Sequence, residues 1–175
     1  MTITVPMELK VESALSAAII DLLLRETEYL DRQQWEEWLE LFTEDTVFWV
    51  PSWKNEQETI EDPTREVSLM YYEGRERLEE RVWRLRSGQS PASVPLPRTV
   101  HVISNIRVQP DGPDEAVAHT VWTVHQYHPK RKTQTVFFGR ADYRLCLSAG
   151  IWRIARKTVM LANDFIPSVL DFYSL

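Results

Sequence analysis

The spacing of apolar positions divides the chain into a helical first part and a strand-rich second part. Val11, Leu15, Ala18 and Leu22, with Ile19, Leu23, Glu26 and Leu30 alongside, recur at helical intervals and predict a helix over about residues 8–30. Asp31 then stands where an N-cap belongs, with Gln34 three residues on in the manner of a capping box. Trp35, Trp38, Leu39 and Phe42 fall at i, i+3, i+4 and i+7, one apolar stripe that predicts a second helix ending near Glu44. Residues 46–50 are β-branched and aromatic and are stopped by Pro51, which reads as a short strand.

Residues 52–65 are polar and predict a loop, and 67–72 are apolar and aromatic enough for a short strand or an ordered loop. A third helix is expected over 75–86, with Leu78, Val82 and Leu85 facing inward and Glu73–Arg77 and Glu80–Arg84 as i, i+4 pairs. Gly88 is placed to end it, and Pro91, Pro95 and Pro97 mark a stiff connection. Four strand-like runs follow, 99–108, 115–127, 133–147 and 151–161, separated by turn-forming stretches such as Pro110-Asp111-Gly112-Pro113. Connections this short imply antiparallel hairpins, because a parallel crossover needs a dozen or more residues. The tail, 163–175, carries Phe165, Ile166, Leu170, Phe172 and Tyr173 and should dock on the body.

The whole predicts one α+β domain over 1–175: a helical part (1–45), short strands with a loop and third helix (46–96), an antiparallel meander (97–162) and the tail. N-terminal helices packed in a curved, mainly antiparallel sheet would bury both the helix stripe and one face of each strand. That is the cone-shaped, cystatin-like fold of nuclear transport factor 2, ketosteroid isomerase and scytalone dehydratase. Folds of this kind often hold an Asp, Tyr or His as acid or base inside the sheet, and Tyr29, Asp45, His101, Asp142 and Tyr143 are the candidates here. A stand-alone isomerase or dehydratase using a pocket Asp or Tyr as general base is therefore one functional reading.

Composition narrows the field. With 175 residues, 43 % apolar and 26 % charged, the chain is an ordinary globular protein large enough to bury a core without staples. No apolar run approaches the ~18 residues of a membrane span, and no secretory signal is visible, so a cytoplasmic protein is expected. A net charge of −6 argues against a nucleic-acid partner. The charge is uneven: residues 1–62 carry 15 acids and 4 bases, and residues 63–175 carry 11 acids and 16 bases. The two parts either neutralise each other within the fold or meet between subunits.

Cys146 is the single cysteine, too few for a disulfide or a thiolate-held cluster. His119 and His125 share a strand face about 20 Å apart, and His125 and His128 face opposite ways, so they cannot grip one metal ion. The five glycines are too scattered for a phosphate- or dinucleotide-binding loop. Seven tryptophans are unusual. Trp49 and Trp53 flank Pro51 where strand gives way to loop, a place suited either to core packing or to a protein interface. The arginine-rich third helix interleaves Glu73, Glu76, Glu79 and Glu80 and reads first as a self-paired solvated face.

Several stretches in order resemble the small (β) subunit of aromatic-ring-hydroxylating dioxygenases. They are Phe48-Trp49-Val50-Pro51, then 65–72, Leu78-Glu79-Glu80-Arg81-Val82, 97–105, Phe138-Gly139-Arg140 and 152–157. The Trp-Val-Pro-Ser-Trp and Leu-Met-Tyr-Tyr runs look most like the branch acting on benzoate, anthranilate, halobenzoate or salicylate. The resemblance implies the cone-shaped fold, a structural role and an α3β3 hexamer, and the chain is expected to self-associate as a trimer through the outer face of its sheet. It also implies an NADH-dependent system whose Rieske [2Fe–2S] cluster and mononuclear iron sit in the α subunit, with no catalytic, cofactor or metal residue carried here. For docking the α subunit the expected segment is 49–72, with Trp49, Trp53, Met70, Tyr71 and Tyr72 as contacts and Glu56, Glu58, Glu61 and Asp62 as a charged rim.

Overall fold

A computed structural model describes residues 7–88, 94–167 and 169–175; Pro91 and the side chain of Val11 lie outside the described residues. Helix α1 (Met7–Asp31) leads into a short α2 (Trp35–Leu39), then β1 (Phe42–Val50), β2 (Met70–Glu73) and α3 (Arg75–Arg86). Strands β3 (Arg98–Pro110), β4 (Glu115–His128), β5 (Thr133–Ser148) and β6 (Ile151–Leu161) follow, and a 3-10 turn, Phe172–Ser174, comes last. The sheet has six strands in the order β2-β1-β6-β5-β4-β3, antiparallel except where β1 runs parallel to β6. Register shifts in the β1–β6, β3–β4 and β5–β6 ladders interrupt the pairing, and bulges of this kind bend a sheet. Asn105, at φ 52°, takes up the β3 shift between Ser104 and Arg107.

Helix α1 lies in the hollow of this curve. Its buried face is Ile19, Leu22, Leu23, Glu26 and Leu30, while Ala18 is exposed, so the stripe lies one residue away from the one that begins at Leu15. The opposing wall is strictly alternating, as in β4, where Ala116, Ala118, Thr120, Trp122, Val124 and Gln126 are all buried. Gly139 marks the tightest approach: a Cβ there would meet the Met160 carbonyl oxygen at 1.9 Å.

Three local expectations are corrected. The second helix stops at Leu39, and Phe42 opens β1 instead of continuing a helix. The reason is tertiary: β6 offers a hydrogen bond, Ile154 N–H to Leu41 O at 2.8 Å, and Phe42 pairs with Ile154. Phe42 still meets Trp38, ring centroids 4.8 Å apart, so the stripe named the right neighbours with the wrong backbone. Asp31 does not cap α2; Gln34 takes that position without a side-chain bond, and the Asp31 carboxylate reaches across to β3. On α3 the ion pairs are also redistributed, with Arg75–Glu79 at 3.2 Å and Arg77–Glu80 at 3.1 Å.

The tail docks. Phe172 stacks on Trp38 at 4.7 Å and meets Trp35 edge-on at 5.5 Å, and Asp171 is held by Arg81 at 2.6 Å. Phe172, Tyr173 and Leu175 are buried, whereas Phe165 is exposed. Burial of such side chains stabilises by roughly 1.5–3 kcal/mol each. The uneven charge is partly neutralised within the fold: Glu26 meets Lys157, Glu36 meets Arg86 and Glu44 meets Arg75.

Candidate functional site

Two regions carry the chemistry, the hollow of the cone and the outer face of the sheet. In the hollow, α1 contributes Glu26, β5 contributes Tyr143 and β6 contributes Lys157. Lys157 Nζ donates to Glu26 Oε1 at 2.7 Å, and the Tyr143 hydroxyl donates to Glu26 Oε2 at 3.2 Å. Lys157 also donates to the Leu175 backbone oxygen at 3.4 Å and lies 5.4 Å from the Phe48 ring centroid. Burial, then the Glu26 carboxylate, pushes the Tyr143 phenol well above its ordinary range. Each oxygen of the Glu26 carboxylate thus accepts a hydrogen bond within this triad.

A second, partly buried pair adjoins it. His101 Nδ1 is 2.6 Å from Asp31 Oδ1, and its backbone N–H donates to Asp31 Oδ2 at 2.9 Å. Burial pushes the Asp31 carboxyl up, but the His101 and Thr99 hydrogen bonds outweigh it and hold the group below the usual carboxylate range. His101, Trp122, Tyr143, Lys157 and Leu175 line a cavity of about 10 Å³. That is space for about one water and for no ring-shaped substrate.

Of the five candidate acids and bases, the fold brings His101 and Tyr143 together and leaves the others apart. Asp142 is exposed on the outer face beside His119 Nδ1 at 2.6 Å, Asp45 is exposed on β1, and Tyr29 lines a surface groove with Trp152. Glu26 and Lys157 were not among the candidates. The available signal was a charge on each apolar stripe, Glu26 between Leu23 and Leu30, and Lys157 in step with Val159 and Leu161.

A Rieske cluster takes two cysteines and two histidines. Cys146, half-buried on β5, is the chain's single cysteine, and burial, then Asp45, pushes its thiol up, away from the thiolate a metal binds. The residues present do not fit the cluster. Among the described residues no group of three His, Cys, Asp or Glu side chains converges as a metal site.

The expected docking residues separate by strand parity. Tyr71 pairs with Trp49 and faces outward, whereas Tyr72 pairs with Phe48 and Met70 with Val50 on the inner face. Trp49 is only 8 % exposed, its indole N–H donating to Ser68 Oγ at 2.9 Å and its ring covered by Arg156. Trp53 is half-buried, donating to the Leu161 carbonyl at 2.7 Å, and its backbone bridges to Thr59 within the polar loop.

Residues 25–168 match the family model described as ring hydroxylating beta subunit. The chain belongs to that family. This beta subunit is 38 % identical over 155 residues to the 2-halobenzoate 1,2-dioxygenase small subunit of Burkholderia cepacia, covering 89 % of this chain and 93 % of that one. It is 39 % identical over 158 residues to the toluate 1,2-dioxygenase subunit beta of Pseudomonas putida, covering 89 % and 95 %. The crystal structure of the benzoate 1,2-dioxygenase beta subunit of Burkholderia mallei superposes with a TM-score of 0.75 at 31 % identity, over 99 % and 100 % of the two chains. A hexachlorocyclohexane dehydrochlorinase of Novosphingobium barchaimii has the same fold, with a TM-score of 0.62 at 12 % identity over 92 % and 94 %. The beta subunit therefore has the cone-shaped α+β fold of nuclear transport factor 2. No helix among the described residues is long and apolar enough to cross a membrane.

Proposed function

We propose that this single-domain beta subunit is the assembly component of a cytoplasmic, multicomponent dioxygenase that oxidises a benzoate-like aromatic carboxylate. The large α subunit carries the Rieske cluster and the mononuclear iron, and electrons come from NADH through a reductase. The observation that carries the reading is likeness over 89 % of the chain to small subunits whose names specify halobenzoate and toluate. It is supported by the hollow, where the ionisable groups are engaged with one another and the space beside His101 admits no substrate.

The assembly is an α3β3 hexamer in which the beta subunits form a trimer through the outer face of the sheet. Val100, Val102, Val121 and Phe138 support this, since they are neighbours across β3, β4 and β5 and each is 39 % or more exposed. The α subunit docks on the 49–72 segment, with the outward-facing Tyr71 and the half-buried Trp53 as direct contacts.

Co-expression with the cognate large subunit tests the reading. A hexamer that dihydroxylates benzoate with NADH and reductase, together with a large subunit that assembles poorly without this chain, is the expected result. A beta chain that never co-elutes with the large subunit overturns it.

A further inference from the structure

The cavity in the hollow gathers two polar atoms that the rest of the chain leaves unpaired. The His101 side chain is 3 % exposed and Trp122 is 4 % exposed. Among the described residues, the buried His101 Nε2 and Trp122 Nε1 have no hydrogen-bond partner, and both residues line the space of about 10 Å³ that Tyr143 and Leu175 help to close. Strand pairing brings them there. His101 lies opposite Val124 and Ile103 opposite Trp122, so His101 and Trp122 are diagonal neighbours across β3 and β4. Diagonal positions are about 7–8 Å apart, a span across which two rings can bracket one small molecule. A buried polar group left without any partner is costly, so these two nitrogens call for one.

The hydrogen-bonding roles define what fits. Asp31 is held below the usual carboxylate range, so its charged oxygen, 2.6 Å from His101 Nδ1, accepts the proton that this nitrogen carries. In a neutral ring Nε2 is then an acceptor, whereas the indole N–H of Trp122 can only donate. Thr27 and Tyr143 line the same cavity, and their hydroxyl hydrogens are spent on the Leu24 carbonyl and on Glu26, so either oxygen meets a ligand as an acceptor. We infer that the hollow binds one water molecule, which accepts from Trp122 Nε1, donates to His101 Nε2 and turns its second O–H to a hydroxyl oxygen of the wall. Three hydrogen bonds and a space of this size are what a buried water takes. An anion is the poorer occupant, because it has no hydrogen to give Nε2 and the carboxylates of Asp31 and Glu26 hold two of the walls. An apolar occupant would leave both nitrogens unpaired. The bridge ties β3 to β4 beyond their backbone ladder and keeps the proton of His101 on Nδ1. It forms within one chain and holds whether or not the large subunit docks.

The test uses the full chain, crystallised and in solution. Parallel crystals are pressurised with xenon or soaked in bromide, whose anomalous scattering marks a dry cavity or an anion site. In solution the Trp122 indole N–H is examined for a cross-peak at the water frequency. Magnetic relaxation dispersion of the water oxygen counts long-lived internal waters in the wild type and in Trp122→Phe, which keeps an aromatic ring but no N–H. The expected result is one density peak within about 2.7–3.2 Å of both nitrogens, an indole–water cross-peak, and the loss of one long-lived water in Trp122→Phe. Xenon or bromide at this position, or no density between the two nitrogens, overturns the inference. A water count that Trp122→Phe leaves unchanged overturns it as well. If Trp122→Phe does not fold, the wild-type density and cross-peak decide by themselves.

Discussion

Lys157 Nζ lies 2.7 Å from Glu26 Oε1, with both side chains buried beneath the docked tail. A buried pair of this kind contributes little net stability, but breaking it leaves one charge without a partner or water. Glu26→Gln alone is therefore expected to cost about 3–5 kcal/mol. Glu26→Leu combined with Lys157→Met should cost much less, which urea unfolding of the three proteins can decide.

The Asp31–His101 contact makes stability depend on pH. The Asp31 carboxyl is held below its ordinary value when folded, so its contribution is fully present above the unfolded pKa, about 3.9. It is lost as pH falls from there through the lower folded value. Asp31→Asn should destabilise the protein at pH 7 and flatten the acid limb of a stability curve below about pH 4. An unchanged acid limb would show that other carboxylates control it.

At Gly139 the side chain of alanine would enter space held by the Met160 carbonyl, which is backbone and cannot swing aside. Gly139→Ala is expected to part β5 from β6 and to cost at or above the upper end of ~1–3 kcal/mol. Thermal unfolding gives the measure, and a variant as stable as wild type would mean the strands separate locally without penalty.

Strand parity predicts opposite outcomes for adjacent tyrosines. Tyr72→Ala removes a ring packed near Phe48, 6.4 Å between centroids, and should lower stability by several kcal/mol. Tyr71→Ala should leave unfolding nearly unchanged while weakening co-purification with the large subunit, and adding Trp53→Ala should weaken it further. Equal stability losses for the two tyrosines would contradict the facing assigned to them.

Iron analysis of the isolated chain should give a colourless protein with far less than one iron per chain, since one cysteine cannot complete a Rieske donor set. A tightly held stoichiometric iron would require ligands of a different kind.

The sequence by itself determined the elements whose signals are local. β6 falls on the predicted residues, and α3 buries Leu78, Val82 and Leu85 as its spacing required. The meander followed from connections too short for anything but hairpins. Family-like runs such as Phe48-Trp49-Val50-Pro51 were equally readable, because they are contiguous in the chain. Tertiary structure alone decided where β1 begins, since the hydrogen bonds that draw Leu41 and Phe42 out of a helix come from Ile154, over a hundred residues away. It also decided the use of Asp31, which by local rules caps a helix but by position reaches Thr99 and His101. Glu26 and Lys157 are 131 residues apart, and each looks like an interruption of an apolar stripe until the fold sets one against the other. The physical reason is the same in each case: periodicity reports which face of an element leaves water, whereas the partner that satisfies a buried polar group is chosen only when distant elements pack.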